Sequence, residues 1–170
     1  MNCPRCNKPY QDTNSTCPFC RSKHPRQFPG IRHVYTKVAG VTQKNSDGKT
    51  RQAIIKRIAR TWGVGHLRIQ KYGRDAIQLI LDEEPDNPVD PHAIKVCMED
   101  GVQIGYLSRE LAAHVAARNA QGCKYMTVLD NITERHEDNT VGVNLLIIEA
   151  EPAAESNVGA FFEEYFKPRR

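Results

Sequence analysis

Pro85, Pro88 and Pro91, interleaved with Asp86, Asn87 and Asp90 and set between two aliphatic runs, leave residues 84–107 few conformations to choose from. Each proline fixes its own φ and pushes the residue before it toward extended or turn geometry, while Asp and Asn side chains bond nearby backbone. Before the prolines, residues 76–82 are aliphatic with loose alternation; after them, Ala93, Ile94, Val96 and Met98 mark a second extended run. Both runs read as strands. Gly101 then turns the chain into Val102, Gln103 and Ile104, and Ser108 is placed to cap a helix starting near Arg109, where Leu111, Ala112, Val115 and Ala116 recur at helical spacing. A rigid polar turn of this kind loses little entropy on binding. Two uses stay open for it: a ligand surface shared with the start of the helix, or Asp and Asn groups that only satisfy local backbone.

The order strand, Asp-Asn-Pro-Val-Asp-Pro-His-Ala-Ile turn, strand, Gly-Tyr-Leu and helix resembles the HIRAN domain. The likeness begins near Val38 and runs to about Ala150, and Gly-Lys-Thr-Arg-Gln-Ala-Ile-Ile at 48–55 and Arg-Glu-Leu-Ala-Ala-His-Val-Ala at 109–116 add to it, the first as in bacterial members. The resemblance implies a small β-barrel related to the OB fold and a role in DNA processing. The best understood members hold a 3′ terminus of single-stranded DNA. Carried over by position, Asp90 would accept a hydrogen bond from a terminal hydroxyl, because an ionised carboxylate only accepts. Asn87 would hold the turn, and His92 belongs to the same set. Tyr106 and Arg109 stand where the family flanks the nucleotide, as a stacking ring and a phosphate partner. Val89 departs from the pattern, since end-binding members carry an aromatic there, and residues 42–47 offer no ring either. Each stacked base is worth roughly 1–3 kcal/mol, so two missing platforms weigh heavily.

The first twenty residues carry a second module: Cys3 and Cys6, ten residues, then Cys17 and Cys20. Two CxxC pairs can hold one tetrahedral ion, and four thiolates favour zinc over magnesium or calcium. The segment resembles a compact zinc ribbon in its Cys-Pro-x-Cys starts, with one structural Zn²⁺ and no open position for a metal-bound water. Disulfides or a redox CxxC are the alternatives. Neither pair opens a βαβ unit, nothing near Met1 resembles a secretory signal and no apolar run reaches transmembrane length, so a reduced, cytoplasmic state is expected. Cys97 reads as a small buried hydrophobe and His24 as a linker residue.

Charge is divided unevenly along the chain. Of 24 basic and 20 acidic side chains, residues 1–74 hold 16 basic against Asp12 and Asp47, a formal +14, leaving −10 for the remainder. Such polarity is a footprint for a polyanion at one end. Within the basic half, Arg51, Ile54, Ile55, Lys56, Arg57, Ile58, Arg60 and Trp62 predict an amphipathic helix with its cations outward and Trp62 packed at its end. Lys44, Lys49 and Arg51 are candidate phosphate contacts, with a solvated surface as the alternative. Later strands are expected over 125–132 and 141–149, and Val158, Phe161, Phe162, Tyr165 and Phe166 form an aromatic face at helical spacing, suited to docking on the barrel or binding a partner.

The expected architecture is therefore mainly β with flanking helices: a ribbon over 1–22, a basic linker over 23–34 that lets the ribbon move, a barrel over 35–151, and a terminal helix and tail over 152–170. No phosphate loop, Gly-x-Ser-x-Gly elbow or His-Glu-x-x-His motif is present, and an Asp86-based nuclease set fails because Ala93-Ile94-Lys95 lacks the second acid. A non-catalytic module that binds DNA, as a single strand or a 3′ end, is expected. The alternative is an adaptor that docks a larger DNA-processing machine.

Overall fold

The structure is a computed structural model that describes residues 1–6, 8–62, 77–135 and 137–166. Its strands are β1 (Ile31–Lys37), β2 (Gln78–Glu83), β3 (Ile94–Met98), β4 (Gln103–Tyr106), β5 (Lys124–Glu134) and β6 (Val141–Ala150). Its helices are α1 (Arg51–Trp62), α2 (Arg109–Asn119) and α3 (Val158–Phe166). Ala76, the expected first residue of β2, and the Gly-Val-Gly after Trp62 lie outside the described residues, as does the tail after Phe166.

The six strands form one antiparallel sheet in the order β1-β6-β5-β2-β3-β4. Register shifts between Leu129 and Asn131 and between Val96 and Cys97 bend it. The sheet then meets itself. Just past the end of β1, Ala39 N donates to Tyr106 O at 2.8 Å and Tyr106 N donates to Ala39 O at 3.0 Å, joining the two outermost strands. Gly105 permits this approach, because a Cβ there would lie 2.2 Å from Val38 Cγ1 and 2.5 Å from Ala39 O. The glycine of the Gly-Tyr-Leu motif is thus a requirement of barrel closure.

β6 explains why the core is continuous. Val141, Val143, Leu145 and Ile147 face inward, against Ile54, Ile55 and Ile58 of α1, Val115 of α2 and Leu79, Ile94, Val96 and Ile104 of the sheet. Leu146, Ile148 and Ala150 face outward, under Phe161, Tyr165 and Phe166 of α3. The second half of β6 is buried on both faces, which is why it reads as an unbroken apolar run instead of an alternation. Each large side chain so buried contributes roughly 1.5–3 kcal/mol.

The segment expected to be a loose linker is structured. His24 caps a 3-10 turn at Pro25–Gln27 by accepting from Arg26 N, and β1 begins at Ile31. The N-terminal module is tied to the rest of the fold: Arg5 Nη1 donates to Glu164 O (2.7 Å), Lys23 N to Glu164 Oε1 (2.9 Å), Tyr165 OH to Lys23 O (2.6 Å) and Tyr35 OH to Pro4 O (2.7 Å). Phe28 packs edge-on against Phe161 and Tyr165. The aromatic face of α3 therefore docks on the barrel, and its polar edge holds the ribbon.

Closure through Gly105 is open to direct measurement. Gly105→Ala is expected to lower unfolding free energy by about 2–4 kcal/mol in urea titrations, since Val38 can shift but the Ala39 carbonyl cannot without breaking the bridge.

Candidate functional site

The proline-rich turn is held by its own side chains. Asn87 Oδ1 accepts from Val89 N (2.9 Å) and Asp90 N (3.1 Å), and Asp90 Oδ1 accepts from His92 N (3.0 Å). Backbone bonds from Glu84 N to Ala93 O and from Ala93 N to Asp90 O close its base. These are the local bonds that Asn and Asp favour in turns. One group is left facing out: Asp90 Oδ2 lies 3.4 Å from Arg109 Nε, with Asp90 17% and Arg109 74% exposed. Ser108 accepts from Leu111 N and fixes the start of α2, so Arg109 is presented beside the turn. His92 is exposed, and Val89 at the tip is 78% exposed.

Two residues that sequence reasoning passed over organise this region. Glu84 Oε2 accepts from Asn87 Nδ2 (2.6 Å) and from Tyr106 OH (3.1 Å), while Glu84 Oε1 pairs with Lys95 Nζ at 3.0 Å. The hydrogen bond from Asn87, with Lys95 and Tyr106 adding to it, holds the Glu84 carboxyl below its usual range, and the same carboxylate raises Lys95. The available signal was pairing across the β2–β3 hairpin, which puts Glu84 and Lys95 together at its turn end.

Arg51 requires a correction. Sequence places it outward as a phosphate contact, yet it is 4% exposed. Its Nε donates to Asn45 Oδ1 (2.7 Å), its Nη1 donates to Gly40 O (2.9 Å), and its guanidinium stands 5.1 Å from the centre of the Tyr106 ring. Gly40, with φ of 66°, leaves room for it, since a Cβ there would come within 3.1 Å of Nη1. A buried guanidinium is tolerable only when its donors are met, and here two carbonyl oxygens and a ring face meet them. The Tyr106 ring is consequently faced by Arg51 and its hydroxyl by Glu84, so it is part of the frame.

The turn thus gathers Asn87, Asp90, His92, Tyr106 and Arg109 in one place. Lys44 and Lys49 stand apart on the exposed turn before α1, where Lys49 pairs with Asp47 at 3.1 Å. Asn45 Nδ2 donates to Gln103 O and pins that turn to β4. A cavity of about 370 Å³ opens between the loop after β1 and the β5–β6 hairpin, lined in part by Lys37, Thr42, Thr133, Arg135 and Thr140. Trp62, expected to pack, is 52% exposed.

At the N-terminus, the sulfurs of Cys3, Cys6, Cys17 and Cys20 lie within 4.8 Å of one another, with 3.6 Å between Cys3 and Cys20 and between Cys6 and Cys17. A tetrahedral ion with bonds of about 2.3 Å would set sulfurs about 3.8 Å apart, so the cluster fits one metal ion. Ser22, fully buried, places its hydroxyl 3.3 Å from Cys3 Sγ and 3.1 Å from Cys20 Sγ, an outer partner that only the fold discloses. Burial pushes the Cys6 thiol up to about 12 and raises Cys3, which a bound cation would reverse. His24 is buried against Tyr10 and is not part of the cluster. Cys97 and Cys123 are buried and free.

The depressed Glu84 carboxyl makes the turn pH-dependent. Its contribution to stability is complete above the unfolded-state value of about 4.3 and disappears as pH falls through the lower folded-state value. Glu84→Gln is expected to be about 1 kcal/mol less stable than the parent at pH 7, with the difference closing below about pH 4 in denaturant titrations.

The HIRAN domain model matches residues 59–147, a little over half of the chain. No curated protein matches. Among solved structures, the HIRAN domain of human HLTF is similar at 17% identity and TM-score 0.44, over 83% of this chain and 98% of that one. A Lactobacillus plantarum protein is similar at 17% identity and TM-score 0.42, over 71% of this chain and 99% of that one. A family match spanning the helix α1 end, the proline-rich turn, the Gly-Tyr-Leu closure and most of β6 makes this chain a member of the HIRAN domain family.

Proposed function

We propose that this chain is a non-catalytic DNA-binding module that holds single-stranded DNA or a 3′ DNA end in repair, replication or restriction. The observation that carries the reading is the Asp90–Arg109 pair on a turn already fixed by Asn87 and Glu84. Asp90 spends one oxygen on the His92 amide, which leaves the other as an acceptor for a terminal hydroxyl. Arg109, largely exposed and held by one long contact, is free to exchange the carboxylate for a phosphate.

The four-sulfur cluster is assigned one structural zinc ion, because all four positions are thiols and none is left for water or substrate. The zinc would staple a segment too small to form its own core. Reduced thiols at this site agree with a cytoplasmic protein, and among the described residues no helix is long and apolar enough to cross a membrane.

A second reading draws on Val89. An exposed aliphatic tip offers no ring for a base to stack on, which weighs against end capture and keeps an adaptor that docks a larger DNA-processing machine as the alternative.

Oligonucleotide binding separates the two. End recognition predicts tighter binding of a free 3′-hydroxyl strand than of a 3′-phosphate strand, and loss of that preference in Asp90→Ala; equal affinity of the parent protein for both strands would remove end recognition, and no salt-dependent binding of any strand would leave the adaptor. Elemental analysis of protein purified under reducing conditions is expected to give one zinc per chain, and a clearly substoichiometric content would contradict the metal assignment.

A further inference from the structure

The outward face of α1 is the most strongly cationic helical surface in the described fold, and nothing in the turn-based reading uses it. A groove of about 470 Å³ runs along it, lined by Lys49, Thr50, Ala53, Arg57, Arg60 and Thr61, with Ile54 below. Helical geometry puts Ala53, Arg57, Arg60 and Thr61 along one side of α1, with Lys49 and Thr50 on the turn that leads into it, and all but Ile54 are exposed. Small residues form the middle of the groove and long cations its rim.

Charge on α1 has no acidic counterpart within the helix. The helix contains no Asp or Glu, although solvent-facing helices ordinarily set acids three or four residues from their bases. Among the described residues neither Arg57 nor Arg60 forms an ion pair, and Arg60 Nε makes one long contact of 3.4 Å to its own helix, at Lys56 O. Like charges at such spacing cost the helix a few tenths of a kcal/mol each, a cost a bound polyanion would reverse. Two threonine hydroxyls in the groove add neutral donors suited to phosphate oxygens.

We propose that this groove is a track for the sugar–phosphate backbone of the nucleic acid, with Arg57, Arg60 and Lys49 contacting consecutive phosphates and Ala53 marking the floor on which the backbone lies. The inference rests on the DNA-binding reading given above and assigns that strand a second, sequence-independent contact away from the Asp90 turn. It gives the basic half of the chain a defined site of action, and it does so without Arg51, which the fold consumes.

Trp62, the chain's one tryptophan, is exposed at the end of the same helix and supplies the readout. The experiment titrates the full chain with ~12-nucleotide oligo(dT), bearing a free or a 3′-phosphate end, at several salt concentrations. Arg57→Ala/Arg60→Ala is expected to bind about tenfold more weakly at 0.1 M salt, equally for both ends, with the slope of log K against log salt reduced by about 1.4. Ala53→Glu, a substitution an exposed helix position accepts readily, is expected to abolish the change in Trp62 fluorescence on adding oligonucleotide, while Ala53→Gln keeps it. Helical circular dichroism of all variants would confirm that α1 is intact. Oligonucleotide binding by the parent with unchanged affinity and slope in the Arg57→Ala/Arg60→Ala protein would overturn the track and leave the turn-based reading standing. Absence of DNA binding by the parent would overturn both. Binding of polyglutamate or of phosphatidylglycerol vesicles as tight as that of oligo(dT) would overturn the assignment to nucleic acid.

Discussion

Tyr106 joins every part of the barrel that matters for the site. Its backbone closes the sheet onto Ala39, its ring lies against the buried Arg51 guanidinium, and its hydroxyl donates to Glu84, which in turn holds Asn87 and Lys95. Barrel closure, the start of α1 and the shape of the proline-rich turn are therefore not independent. A buried cation without a carboxylate partner is costly unless all its surroundings cooperate, and the loop at Gly40 and Asn45 is shaped to do so. The turn inherits that rigidity. Asp90 is held at a fixed place by the Asn87 and His92 amide contacts of the turn, and Arg109 stands beside it at the start of α2.

A similar dependence links the two ends of the chain. α3 covers the outward face of β6 with Phe161, Tyr165 and Phe166, and its polar edge meets the ribbon through Glu164 and Tyr165. Among the described residues the ribbon's buried apolar cluster is Tyr10 with the four cysteines, so its order comes from the sulfur cluster and from this docking. The two cores thus share β6 as a common wall, which makes the last strand the member whose disruption would be felt on both sides.

Much of the fold was legible in the residues. β3, β5 and β6, the capped start of α2, the extent of α1 and the aromatic stripe of α3 fall where periodicity and turn chemistry predict, because each follows from local pattern and burial on a definable face. Less of the site was legible. Arg51 looked like any other cation in a basic stretch, and only its position between Gly40, Asn45 and Tyr106 makes it internal. Glu84, Lys95 and Ser22 carried no motif, and their partners lie across a hairpin or a knuckle. Trp62 ends a helical pattern and was expected inside, whereas the helix presents it to solvent.

By itself the sequence determined most of the elements, though not β1, together with the four-cysteine module and the family, since prolines, caps, CxxC spacing and hydrophobic period act over a few residues and need no distant partner. Tertiary structure alone decided which charges are spent inside and which remain available outside. A side chain's ionic role depends on the dielectric and the partners that distant segments bring to it, and these exist only once β4 has closed on the end of β1. That step turns Arg51 into framework, leaves Asp90 and Arg109 at the surface, and sets the row of Lys49, Arg57 and Arg60 facing water.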